Sequence, residues 1–230
     1  MKLINLAFKR ETAMPVLALT FASIVSVALV IARVIWTGQF HYAFLIWNLF
    51  LAWLPLFFAL LAAEEYQTAS ARSWRFFALA GAWLLFFPNA PYIFTDLIHV
   101  TNGAYPHFWA DMVLILVCAF TGLVVGFVSL YLMQAVVTRI LGRPASWVFI
   151  LVVSGLSGFG ICLGRFLRLN SWDILLQPVR LYHGLGGWAA HPFASSTSLA
   201  LPMLFAVFLF IAYLTLYGLT HLKTENLPPS

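Results

Sequence analysis

The chain has 230 residues, 63% of them hydrophobic and only 8% charged, with a mean hydropathy of +0.96 and a formal net charge of +5. A soluble domain carries roughly 25% charged residues, so a chain this apolar cannot cover a water-facing surface, and lipid must be part of its solvent. The length fits one membrane domain without a soluble one, and the basic residues cluster beside apolar runs, an arrangement that orients helices in a bilayer and gives no reason to invoke nucleic acid.

A transmembrane helix needs about 20 mostly apolar residues to cross about 30 Å of hydrocarbon. Six stretches qualify: Met14 to Trp36, Tyr42 to Ala63, Trp74 to Ile98, Phe108 to Met133, Ser146 to Leu167, and Ser198 to Leu219. They predict an all-α, polytopic bundle of six transmembrane helices. Residues 1–13 form a cytoplasmic N-terminus, 14–221 a single membrane domain with an outer loop at 169–197, and 222–230 a cytoplasmic tail. Lys2, Lys9 and Arg10 precede the first run as they would in a signal peptide, but the run is too long and lacks a small-residue cleavage site, so it reads as an uncleaved anchor.

Lys and Arg set the orientation. With the N-terminus inside, Lys2, Lys9, Arg10, Arg72, Arg75, Arg139, Arg143 and Lys223 are cytoplasmic, and Arg33, Arg165, Arg168 and Arg180 are outside. Eight against four favours both termini in the cytoplasm. Small residues at four-residue spacing (Gly122 and Gly126; Gly160 and Gly164) mark close helix packing, and their density places the fifth span at the centre. Cys118 and Cys162 lie in apolar runs and read as small buried hydrophobes.

Polar residues inside a membrane are costly and mark cavities, partners or sites. The third span contains FFPNAPYIFTDLIHV, in which Pro88 and Pro91 each remove a backbone donor, predicting a kinked or unwound helix between Leu84 and Tyr92. Asn89, Tyr92, Asp96 and His99 follow at spacings of three, four and three, on one helical face. His107 and Asp111 share a face at the start of the fourth span. The fifth span ends in GRFLRLNSWD, bringing Arg165, Arg168, Asn170 and Asp173 to the same outer side.

Two readings fit this constellation. In one, Asp96 and Asp111 pair with Arg165 and Arg168 and the role is structural. In the other, Asp96, His99 and Asp111 are catalytic candidates, Asp96, His99, His107 and Asp111 form a first shell for a divalent metal, and Arg165 and Arg168 hold an anion with Asn89, Tyr92, Asn170 and Asp173 around it. Asn48 reads as an interhelical hydrogen-bond partner, and His41 and His191 as ordinary outer-loop residues. Gly155, Leu156, Ser157 and Gly158 spell the nucleophile string of rhomboid proteases. The partner histidine is absent, because His221 falls at the opposite end, so helix packing explains it better.

The strings FFPNAPYIFTDLIHV, WADMVLIL and GFGICLGRFLRLNSWDIL resemble a bacterial membrane family catalogued as domain of unknown function 1361, from about Asn48 to the last span. The resemblance implies a bacterial inner-membrane location and supplies no reaction. The expected function is recognition of an anionic lipid or small anionic solute at the outer face. The alternatives are a metal-dependent hydrolase or transferase at that site, or a structural subunit with no site at all. The bilayer is the one partner the sequence requires.

Overall fold

Each apolar run becomes a helix. In the computed structural model, which describes residues 10–68, 73–101, 107–167, 179 and 197–221, the helices long and apolar enough to cross a membrane are Met14–Thr37, Phe44–Thr68, Trp74–Val100, Phe108–Leu141, Arg143–Arg165 and Ala200–Thr220. No strand occurs among the described residues. A backbone in lipid must satisfy its own N–H and C=O groups, and a helix does so within one segment. The chain is a multi-pass membrane protein. Helix four continues well past the apolar run read in the sequence, for 34 residues in all, about 51 Å. Gly142 ends it at φ +88°, a left-handed conformation that costs glycine no Cβ clash, and the fifth helix starts at Arg143.

The fourth span, and not the fifth, forms the centre of the bundle. Two-thirds (67%) of its most apolar window is buried, against 39% for the fifth and 17% for the first and sixth. The reason lies in what its glycines meet. A Cβ at Gly122 would come within 2.8 Å of the Ile93 side chain, and one at Gly126 within 2.7 Å of Ala90, so the third span seats directly on this stripe. The small residues of the fifth span divide their duties. Gly158 lies against the backbone of Pro202 and Ala206 in the sixth span, whereas Gly155 has nothing within 4 Å and Gly160 and Gly164 border a cavity.

Polar pairs tie the helices together at intervals. The Trp83 indole donates to Ser129 at 3.1 Å, the Tyr213 hydroxyl to Gln134 at 2.6 Å, and the Trp53 indole to Ser23 at 3.0 Å. Such bonds contribute about 0.6 kcal/mol each in a membrane. They specify helix register, and packing of Trp83, Phe87, Phe127, Ile150 and Tyr213 in the largest buried cluster supplies the bulk.

The third span is interrupted where its prolines predict. Regular α-helix stops at Phe86, one turn resumes over Asn89–Tyr92, a 3-10 segment covers Ile93–Leu97, and a last turn closes at Ile98–Thr101. Pro91 has no N–H for the Phe87 carbonyl, which instead accepts from Ala90 N at 3.1 Å. That shift deprives the Phe86 carbonyl of its usual donor, and the Asn89 side chain fills the gap at 3.0 Å. The chain therefore stays in the right-handed helical region while its hydrogen-bond ladder changes register. Pro88 rests against Gly160 of the fifth span, where a Cβ would meet the proline ring at 3.0 Å.

Candidate functional site

Two buried carboxylates stand near one end of the bundle, and each has drawn its own arginine. Asp111, in the first turn of the fourth span, is 1% exposed. Arg33 of the first span grips it at two points, Nε to Oδ1 and Nη2 to Oδ2 at 3.0 Å. The guanidinium also lies 5.9 Å from the ring centres of both Trp36 and Tyr42. A planar fork meeting a carboxylate in this way is the strong form of the ion pair.

Asp96 sits in the 3-10 segment, 2% exposed. Its Oδ2 accepts from Asn48 Nδ2 of the second span at 2.8 Å, and its Oδ1 faces Arg165 Nη1 of the fifth span at 3.4 Å. His99, in the α-turn that follows, brings Nε2 to 4.0 Å from the same Oδ1. Its ring packs edge-on against Phe44. Positions three apart share a face in an α-helix and in a 3-10 turn alike, so the spacing itself brings His99 to Asp96.

A cavity of about 750 Å³ opens beside this second group, walled by the second, third and fifth spans. Asn48, Asn89, Tyr92, Asp96, His99 and Arg165 give it a polar end. Leu51, Leu84, Leu85, Leu156 and Gly81 continue it as an apolar wall, and Trp47 and Leu156 on its rim are about half exposed. Leu84 carries the carbonyl that Pro88 leaves without its helical donor.

The arrangement corrects the expected convergence. Asp96, His99, Asn89, Tyr92 and Arg165 do come together around one cavity. Asp111 does not join them, because Arg33 holds it toward the first span, and His107 packs at a tilt against Trp36, ring centres 4.5 Å apart. The four candidate metal ligands are thus split between two clusters. Among the described residues no group of three or more His, Cys, Asp or Glu side chains is placed to hold a metal ion. Arg168, Asn170, Asp173 and His191 lie outside the described residues.

Two residues of this region carried more than their sequence context suggested. The charge count treats Arg33 only as an outer charge. Its position inside an apolar run is the signal for a buried partner, since an arginine in a membrane segment seeks a carboxylate. His41 lines the cavity, although nothing in its local sequence distinguishes it from a loop histidine. Asn48 acts as the interhelical partner expected of it, and its acceptor is the site carboxylate.

A family model described as "protein of unknown function" (DUF1361) matches residues 47–216, well over half of the chain. The chain belongs to the DUF1361 family. The matched region of this DUF1361 protein contains Asn48, Asn89, Tyr92, Asp96, His99 and Arg165, and it excludes Arg33 and His41. Neither the curated proteins nor the solved structures provide a match.

Proposed function

We propose that this DUF1361 protein binds an anionic lipid in the cavity between its second, third and fifth spans, at the outer face of a bacterial inner membrane, with both termini in the cytoplasm. The observation that carries the reading is the two-part wall. One end presents Arg165, Asn48 and Tyr92, Asn89 stands midway along the wall, and the rest is apolar down to Gly81 and Leu156. Gly81 and Asp96 are 15 residues apart, about 22 Å along a helix, more than half of an approximately 30 Å hydrocarbon core. A small free anion has no use for that wall, whereas an acyl chain fills it.

Arg165 is suited to the headgroup. A guanidinium has five donors in a flat fork, and Asp96 engages it through a single contact of 3.4 Å. The remaining donors are those a phosphate takes. Asp96 holds the arginine at the polar end, and Asn48 holds Asp96.

The test is native mass spectrometry of the purified protein with phosphatidylglycerol, phosphatidylcholine or inorganic phosphate. Phosphatidylglycerol is expected to remain bound in preference to phosphatidylcholine, and Arg165→Gln to lose it at least tenfold. Leu156→Trp, which narrows the apolar wall without touching the arginine, is expected to weaken the lipid and spare inorganic phosphate. Equal retention of both lipids by the wild type would overturn the reading. Tight binding of inorganic phosphate with no lipid preference would replace the lipid by a free solute.

A further inference from the structure

We propose that binding of the anionic headgroup is accompanied by uptake of one proton from solvent onto the Asp96–His99 pair; this deepens the lipid-binding reading and rests on it. The argument is one of charge balance. Among the described residues the cavity wall carries one negative group, Asp96, and one permanent cation, Arg165, 3.4 Å apart. At rest they neutralise each other. A phosphodiester arriving at Arg165 adds a negative charge with no described cation left to balance it, whether Arg165 keeps its contact to Asp96 or turns wholly to the phosphate. A net charge in a poorly solvated site is strongly unfavourable, and the nearest remedy is a proton.

The surroundings indicate where that proton goes. Asp96 Oδ2 is occupied by Asn48, so Oδ1 is the oxygen that Arg165 would release. His99 Nε2 stands 4.0 Å from that same oxygen, and its ring is 38% exposed, giving contact with solvent. A proton bound at Nε2 makes an imidazolium that replaces Arg165 as the partner of Asp96. A proton bound at Oδ1 neutralises the carboxylate directly. Either way one proton is taken up and no bond is broken, and the two groups titrate as a unit.

Other ionisable groups also face the pair or pack behind it. From the second-span side His41 lines the cavity, and on the third span Tyr92 does so. On the fourth span, which packs behind the 3-10 segment, Asp111 is neutralised by Arg33, and Cys118 is buried in the apolar cluster with Ile93. The fifth span contributes Arg165.

The experiment is titration calorimetry of the purified full chain with short-chain phosphatidylglycerol below its micelle concentration, a probe whose phosphodiester has no second proton to exchange. It is run in two buffers of different ionisation enthalpy at several values between about pH 5 and 8, the range in which histidine sites titrate. Uptake of a proton on binding means that affinity falls as pH rises, by up to about tenfold per unit. The buffer difference is expected to report close to one proton at the steepest part. In Asp96→Asn the anion and Arg165 balance each other, so the binding that the variant retains is expected to exchange no proton and to lose its pH dependence. Binding by the wild type with no proton exchange and a flat pH profile would overturn the inference and leave the lipid reading standing. Absence of binding at every pH would overturn both. Proton uptake undiminished in Asp96→Asn would remove it from the Asp96–His99 pair.

Discussion

The two arginine–aspartate pairs are chemically alike and differently built. Arg33 and Asp111 meet through two contacts, with side-chain exposures of 10% and 1%, and aromatic rings flank the guanidinium. Arg165 and Asp96 meet through one contact, Arg165 is 21% exposed, and the carboxylate is shared with Asn48 and approached by His99. Arg33 borders an apolar cleft of about 400 Å³ with Trp36 and Leu114 that Asp111 does not line, while both members of the second pair line the 750 Å³ cavity. An ion pair gripped at two points, with its carboxylate shut away from any described cavity, joins helices. One left loose at the edge of a cavity holds a charge in readiness for something else. The pairing of opposite charges therefore says little about function until the geometry around it is known.

That contrast is easiest to break at the doubly gripped pair. Asp111→Ala leaves a buried guanidinium without its carboxylate, a change that costs about 3–5 kcal/mol. Thermal unfolding in detergent is expected to shift downward by about 10 °C or more. The double change Arg33→Gln with Asp111→Asn is expected to recover part of the loss, since it leaves no charge unpaired.

Arg165→Gln is the matching experiment at the open pair. Asp96 keeps Asn48, and the site borders a cavity, so the stability lost is expected to be smaller, about 1–2 kcal/mol, while lipid retention collapses. A fall in stability as large as that of Asp111→Ala would erase the distinction between the pairs.

Asn89→Ala probes the least costly element of the site. It removes the donor that the Phe86 carbonyl gained when the helix changed register, and about 1 kcal/mol is expected to go with it. The same melting measurement checks it, and a neutral result would show that the carbonyl finds another donor at the cavity wall.

The fold was legible to a large degree because lipid is a demanding solvent. Twenty apolar residues in a row have few options, and Pro88 and Pro91 remove donors wherever the helix sits. The site was half legible. Asn89, Tyr92, Asp96 and His99 share a face by spacing alone, and Arg165 is the cation placed to meet them. The sequence could not show that Asp111 turns to the first span, because helix periodicity fixes which residues share a face and not which neighbour that face meets. Arg33 decides the matter from 78 positions away. The centre of the bundle was misplaced for a similar reason: small residues permit close approach, yet on the fifth span several of them make room for a cavity instead.

The five residues Ile93–Leu97 also set a height and a bearing. A 3-10 turn advances about 2.0 Å and rotates about 120° per residue, against about 1.5 Å and 100° in an α-helix. Over five residues the tighter winding lifts everything beyond it by about 2.5 Å and swings it through about 100°. Had this stretch stayed α-helical, His99 would stand lower and point to a different side of the bundle. The winding of one short stretch thus sets where Asp96 and His99 stand relative to Asn89 and Tyr92 before it, while the two keep each other's company, three positions apart, in either kind of helix.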